Sequence, residues 1–361
     1  MESQAFSDRL AEACEVMGAW ACVGLDPVVE RLPVVMRKPN PVSAIEWFCR
    51  GVLDAVAGVV PAVKVQSACF ERYGGDGVSA YHRVVSAART AGLVVIGDVK
   101  RGDIGVSAEH YAAGLLGAVP RVLGAATGAD RPALVGAGGE AAHSSSASAG
   151  IGLDNEAAGG LGEANDWVSL SQQRGADALT VSGYMGMETV EPFLAAAEGT
   201  GRGVFVLVRT SNPGSGDFQG LRLDDGRTVA EAVADAVAAR GESWGGERGW
   251  SGLGGGVGGG AGGVSFGGAG GWRGGGGVVG ATRVEEAAGL RERMPRQIFL
   301  VPGYGAQGGG MDGVRACRGP DGGGALVTAS RSVLYPEGGA AGDWQMAVKE
   351  AAKRFVEEVG E

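Results

Sequence analysis

A chain of 361 residues with 45% hydrophobic content can bury the core of one large α/β domain or two ordinary ones. Its formal net charge of −10 excludes a general nucleic-acid binder, which needs a basic face, but not an anionic small substrate gripped by a few local Lys and Arg. Five cysteines without a C-x-x-C pair, and no apolar run of bilayer length, point to a reduced cytoplasmic protein rather than a secreted or membrane one.

In chain order, short apolar runs alternate with longer amphipathic segments, the pattern of repeated βα units. The first strand is expected at 20–25, which leaves little room for a cleavable presequence. Residues 41–58 carry Ile45, Phe48, Val52 and Leu53 at helical spacing. Strands follow at 62–66 and 93–100. A stretch over about 118–170 is rich in Ala, Gly and Ser, has little to bury, and reads as a flexible surface insertion; His143 stands alone within it. Further strands are expected at 178–182 and 204–209. A second insertion is expected over about 241–277, almost half glycine and including Gly274 to Gly277. A strand at 278–281, a helix at 284–293, and strands at 298–301 and 325–329 complete the series. Eight strands with intervening helices favour an α/β fold of the (β/α)8 TIM-barrel type, a single domain over 1–361 with two low-complexity insertions. Without those insertions roughly 270 residues remain, near the ~250 typical of such a barrel.

Chemistry concentrates in Asp98-Val99-Lys100-Arg101-Gly102-Asp103. Side chains alternate along a strand, so Asp98 and Lys100 share a face with Ile96 and would turn inward together at the C-terminal mouth. Lys64 interrupts the preceding apolar strand and falls near Asp98, so that Lys64, Asp98, Lys100 and Asp103 would form a chain of alternating charge. Opposite charges ~4 Å apart interact by ~4 kcal/mol at an effective dielectric of 20, enough to hold rotamers and keep both lysines cationic. By itself the D-x-K-x-x-D spacing is most simply a solvated strand end with a surface ion pair, and Lys64 could snorkel to the rim. Two later loops change that balance. Val301 to Gly309 is a glycine-rich turn containing Gln307, and Ser330-Arg331 follows the last strand. Backbone N–H groups and a forked guanidinium at these two positions suit a phosphate.

These motifs, with Cys22-Val23-Gly24-Leu25-Asp26-Pro27, Arg209-Thr210-Ser211-Asn212-Pro213-Gly214 and Val278-Val279-Gly280-Ala281-Thr282, occur in an order that resembles the orotidine 5'-phosphate decarboxylase family, in its longer branch. The resemblance covers the chain apart from the two insertions. It implies conversion of orotidine 5'-phosphate to UMP and carbon dioxide in de novo pyrimidine biosynthesis, without metal or organic cofactor. It further implies that Lys100 protonates C6, that Asp98 crowds the substrate carboxylate and holds Lys100, and that Lys64 and Asp26 position ribose hydroxyls. Ser211 would contact the pyrimidine, and Gln307, Ser330 and Arg331 would serve the phosphate. A homodimer is implied, with Asp103, Ile104 and Ser107 donated across the interface. One departure stands out: Ser182-Gly183-Tyr184 replaces the family's usual Asn-Pro-Tyr.

Three other chemistries fit parts of the pattern. Metal-dependent relatives reuse D-x-K-x-x-D but need a further carboxylate beside Asp98. Schiff-base chemistry could use Lys100 or Lys64 as nucleophile. A non-catalytic phosphate-binding barrel would keep Arg331 and tolerate loss of Lys100.

Overall fold

Strands buried on both faces need a layer on each side, and a sheet closed on itself supplies one of them from its own interior. The computed structural model, which describes residues 5–117, 175–243, 272–305, 308–337 and 343–361, shows that solution. Its strands are β1 (Ala21–Leu25), β2 (Ala62–Gln66), β3 (Val94–Arg101), β4 (Ala178–Val181), β5 (Gly203–Arg209), β6 (Arg273–Val279), β7 (Gln297–Val301) and β8 (Ala325–Ala329). They run parallel and close in sequence order, β8 pairing back onto β1.

Strand alternation sorts the core into two clusters. One set, including Val23, Val63, Val95, Leu179 and Val327, faces outward to the helices. The other, including Ile96, Phe205, Ile298, Leu300 and Leu326, fills the interior. Helix α1 (Phe6–Met17) adds Phe6, Leu10 and Cys14 to that inner cluster. Its Phe6 ring meets Phe205 edge-on at 5.9 Å, so the barrel floor is plugged and chemistry is left to the opposite end. Helix α2 (Pro41–Val56) starts where expected, because Pro41 presets the first turn and the Asn40 side chain accepts from the N–H groups of Val42 and Ser43.

One expectation needs correction. The second insertion, expected over 241–277, is shorter: its last residues are strand β6, and 241–243 end the helix Val229–Ser243. Glycine carries no apolar side chain to display alternation, so the strand looks like low complexity. Its role here is steric: a Cβ on Gly276 would lie 2.3 Å from the Ile298 carbonyl oxygen and 2.8 Å from the Phe205 ring. The intervening residues 244–271, and the whole expected insertion at 118–170 with His143, lie outside the described residues. Among the described residues no helix is long and apolar enough to cross a membrane.

Arg291, on the helix Val284–Arg293, ties several elements together at the floor. It is buried, and its guanidinium donates to the carbonyls of Met294, Gln297, Cys317 and Gly324 at 2.7–3.0 Å while lying 3.6 Å from the Phe299 ring centroid. Burial pulls its pKa down to about 10, so it remains a cation at neutral pH. Arg291→Met is expected to cost about 3 kcal/mol, because these carbonyls lose their donor at once. A urea midpoint equal to wild type would contradict this.

Candidate active site

The C-terminal ends of the strands gather the charged residues. Register pairs Lys64 of β2 with Ile96 and Gln66 with Asp98 of β3, so the two polar faces coincide. Lys64 Nζ lies 2.8 Å from Asp98 Oδ2 and 3.4 Å from Asp26 Oδ1. Gln66 Nε2 donates to the same Asp98 oxygen at 3.0 Å. The other oxygen, Oδ1, receives the Thr180 hydroxyl of β4 at 2.9 Å and Lys100 Nζ at 2.5 Å. A carboxylate offers about four lone-pair sites, and Asp98 has four donors on them. Its rotamer is therefore held from every side.

Burial alone would push the Asp98 carboxyl up, but the Lys64 and Lys100 ammonium groups offset that and hold it well below the usual carboxylate range. Burial would likewise lower Lys64, and the charges of Asp98 and Asp26 reverse it, leaving the ammonium above its ordinary value. A lysine held so firmly as a cation is a poor nucleophile, which speaks against Schiff-base chemistry at Lys64. The signs define a stability window. Asp98 contributes fully above its unfolded value of about 3.9, and the contribution is lost as pH falls through the lower folded-state value. Lys64 contributes fully below about 10.4 and loses its effect as pH rises through the higher folded-state value. Urea unfolding from pH 7 to pH 2 should show a steeper acid loss for the wild type than for Asp98→Asn. Equal slopes would remove Asp98 from the linkage.

Lys100 is less regular than strand alternation suggests. The β3–β4 register slips between Gly97 and Arg101, and Lys100 has φ +44°. Asp98 is buried, whereas the Lys100 side chain is 47% exposed. The two meet across a bulge, and the ammonium reaches over the carboxylate from the solvent side.

The expected four-member charge chain also changes membership. Within one chain it runs Asp26–Lys64–Asp98–Lys100. Asp103 accepts from the N–H of Ile104 at 2.8 Å and forms no ion pair among the described residues. Ile104 is 63% exposed and Ser107 is exposed in the first turn of the helix Gly105–Leu116. Ser211 follows β5, close enough to Gly280 after β6 that a Cβ there would lie 3.0 Å from its own. Ser330 follows β8 and lies against β1: a Cβ on Gly24 would sit 2.0 Å from its hydroxyl, so any larger residue there would force the Ser330 side chain to move. Arg331 is exposed beside it at the start of a one-turn helix. Gln307 lies outside the described residues.

Gln66 and Thr180 are not among the site residues expected from the sequence. Each is a polar residue inside an apolar strand, Gln66 two positions after Lys64 and Thr180 between Leu179 and Val181. That signal was present in the sequence, but one polar side chain in a strand says nothing about its neighbour across the register.

Comparison with known proteins places this geometry in context. A family model described as "Orotidine 5'-phosphate decarboxylase / HUMPS family" matches residues 165–338. An orotidine 5'-phosphate decarboxylase of Rhodopirellula baltica is 35% identical over 368 residues, spanning 98% of this chain and 98% of the relative. One of Clostridium novyi is 32% identical, covering 91% and 88%. The solved Leishmania donovani OMP decarboxylase superposes with a TM-score of 0.63 at 25% identity, covering 99% of this chain and 98% of that one.

Proposed function

The chain belongs to the orotidine 5'-phosphate decarboxylase family, an enzyme of pyrimidine synthesis, and on that premise we propose how its residues perform the reaction. Orotidine 5'-phosphate seats its pyrimidine over Lys100. The C6–carboxylate bond breaks, carbon dioxide leaves, and the electron pair stays on C6. The Lys100 ammonium stabilises that developing charge, passes one proton to C6 to give UMP, and is reprotonated from solvent. The observation that carries this reading is the fixed ammonium: Lys100 Nζ rests 2.5 Å from a carboxylate that cannot turn away. A preorganised cation needs no reorientation as charge appears, which is where electrostatic catalysis is strongest.

The remaining residues serve binding. Lys64 and Asp26 would position ribose hydroxyls, and Ser211 would contact the pyrimidine. Ser330 and Arg331, with Gln307, would hold the phosphate, whose binding energy is used at the reacting carbon some distance away. Asp98, ionised and held, would lie against the departing carboxylate and so also disfavour the bound ground state.

A second copy of the chain completes the proposal. Close to Asp103 in the chain, Ile104, Val106 and Tyr111 are exposed apolar side chains, as are Tyr184, Met185 and Phe218 after β4 and β5, and a Cβ on Gly102 would lie 3.6 Å from the Met185 side chain. Tyr184 and Phe218 meet edge-on at 6.4 Å, and Arg101 lies 5.3 Å from the Tyr111 ring centroid, so neighbouring elements share the patch. Such a surface rimmed by charge suits a self-complementary contact. The Ser182-Gly183-Tyr184 departure lies in the same patch.

Purified protein incubated with orotidine 5'-phosphate and EDTA is expected to form UMP, read as loss of the orotate absorbance band. Absence of turnover would overturn the reading. Activity abolished by EDTA would transfer it to the metal-dependent relatives.

A further inference from the structure

The proposed reaction needs the Lys100 ammonium in one place, yet Lys100 stands on an unfavourable stretch of backbone. It is the one non-glycine residue with positive φ among the described residues, at +44°. A side chain with a Cβ adopts that region only when its surroundings over-determine it. The β3–β4 ladder cannot do so alone, because the register slips at this point.

Thr180 supplies the missing constraint. The Lys100 backbone N–H donates to Thr180 Oγ1 at 3.0 Å, and that hydroxyl donates to Asp98 Oδ1 at 2.9 Å. The same carboxylate oxygen receives the Lys100 ammonium at 2.5 Å. The three residues form a closed ring, from the Lys100 backbone through the Thr180 hydroxyl and the Asp98 carboxylate back to the Lys100 side chain. Because the hydroxyl oxygen accepts the N–H, its single proton is left for the carboxylate. Thr180 is 1% exposed, so water does not compete for either bond. A hydroxyl that merely satisfied a buried N–H would have no need to point its proton at the group holding the ammonium.

We infer that Thr180 is a positioning residue for the reaction, its hydroxyl locking the backbone of the proton donor to the carboxylate that aims the donor's ammonium. The inference rests on the assignment of Lys100 as proton donor. Thr180 acts through Asp98 and Lys100 and makes no claim on the substrate.

Three full-length variants test it on orotidine 5'-phosphate, with kcat and KM measured separately and thermal unfolding recorded alongside. Thr180→Val keeps shape and strand preference but removes both hydrogen bonds. It is expected to lower kcat on the order of 30-fold with KM within about twofold of wild type. Thr180→Ser keeps the hydroxyl and is expected to stay within about threefold in kcat. Should the valine variant fail to fold, Thr180→Cys, with a weak donor of similar size, is expected to lose about tenfold in kcat. A valine variant with wild-type kcat, a loss expressed in KM, or a serine variant as impaired as valine would each overturn the inference. Lys100→Ala, assayed in parallel, separates the two readings. If it is active, the proton-donor assignment fails and the inference with it. If it is inactive beside a wild-type-like valine variant, the inference fails alone.

Discussion

Lys100→Ala is expected to lower kcat/KM for decarboxylation by on the order of 10⁴-fold or more while the protein stays folded. In the proposed mechanism two effects disappear together: the cation facing the developing charge at C6, and the proton that quenches it. The fold should tolerate the change for a local reason. The Lys100 side chain is 47% exposed, so truncation opens no buried cavity. Asp98 keeps three of its four donors, on Lys64, Gln66 and Thr180. The phosphate contacts proposed for Ser330 and Arg331 do not involve Lys100, so the loss should fall in kcat more than in KM. Steady-state assay and thermal unfolding together decide the matter. A variant within tenfold of wild type would remove Lys100 from the chemistry, and an unfolded one would show that the charge cluster is structural.

The second large effect concerns where Asp103 acts. Asp103→Ala is expected to lower kcat/KM on the order of 10²–10³-fold if, as proposed, the carboxylate completes the charge alternation around Lys100 from the neighbouring subunit. Its position motivates this: it ion-pairs with none of the described residues of its own chain and sits next to the exposed Ile104. Mixing the two nearly inactive variants tests the arrangement. A mixed dimer of Lys100→Ala and Asp103→Ala holds one site with its own Lys100 and the other subunit's Asp103, both intact. After equal mixing and subunit exchange, activity should recover to about a quarter of wild type. If Asp103 served its own subunit, every site in the mixture would lack one group and nothing would return. Failure to recover although mixed dimers form would therefore assign Asp103 to its own chain.

Much of the barrel was legible because its signals are local. Strands such as Ala62–Gln66 and Ala325–Ala329 are short, β-branched and apolar, and they form with the bounds their composition suggests. Charged residues inside such runs announce themselves, since burying Lys64 or Asp98 is costly without a partner. Strand β6 is hidden in the sequence for the opposite reason. Gly274 to Gly277 carry no hydrophobic pattern, and their fitness for a strand depends on Phe205, Ile298 and Val208 pressing against them from other strands.

The same distinction runs through the site. Sequence alone determined which groups carry charge, which strands they stand on and that they collect at one end of the barrel, because periodicity and burial cost are properties of a few consecutive residues. Only the tertiary structure decided that Asp98 takes four donors, that Gln66 and Thr180 are two of them, that Lys100 is itself left-handed where it reaches it, and that Asp103 forms no ion pair among the described residues of its own chain. Those facts depend on register between strands and on the closure of the sheet. Hydrogen-bond partners are set to within a fraction of an ångström by neighbours dozens of residues apart, and no local pattern carries that information.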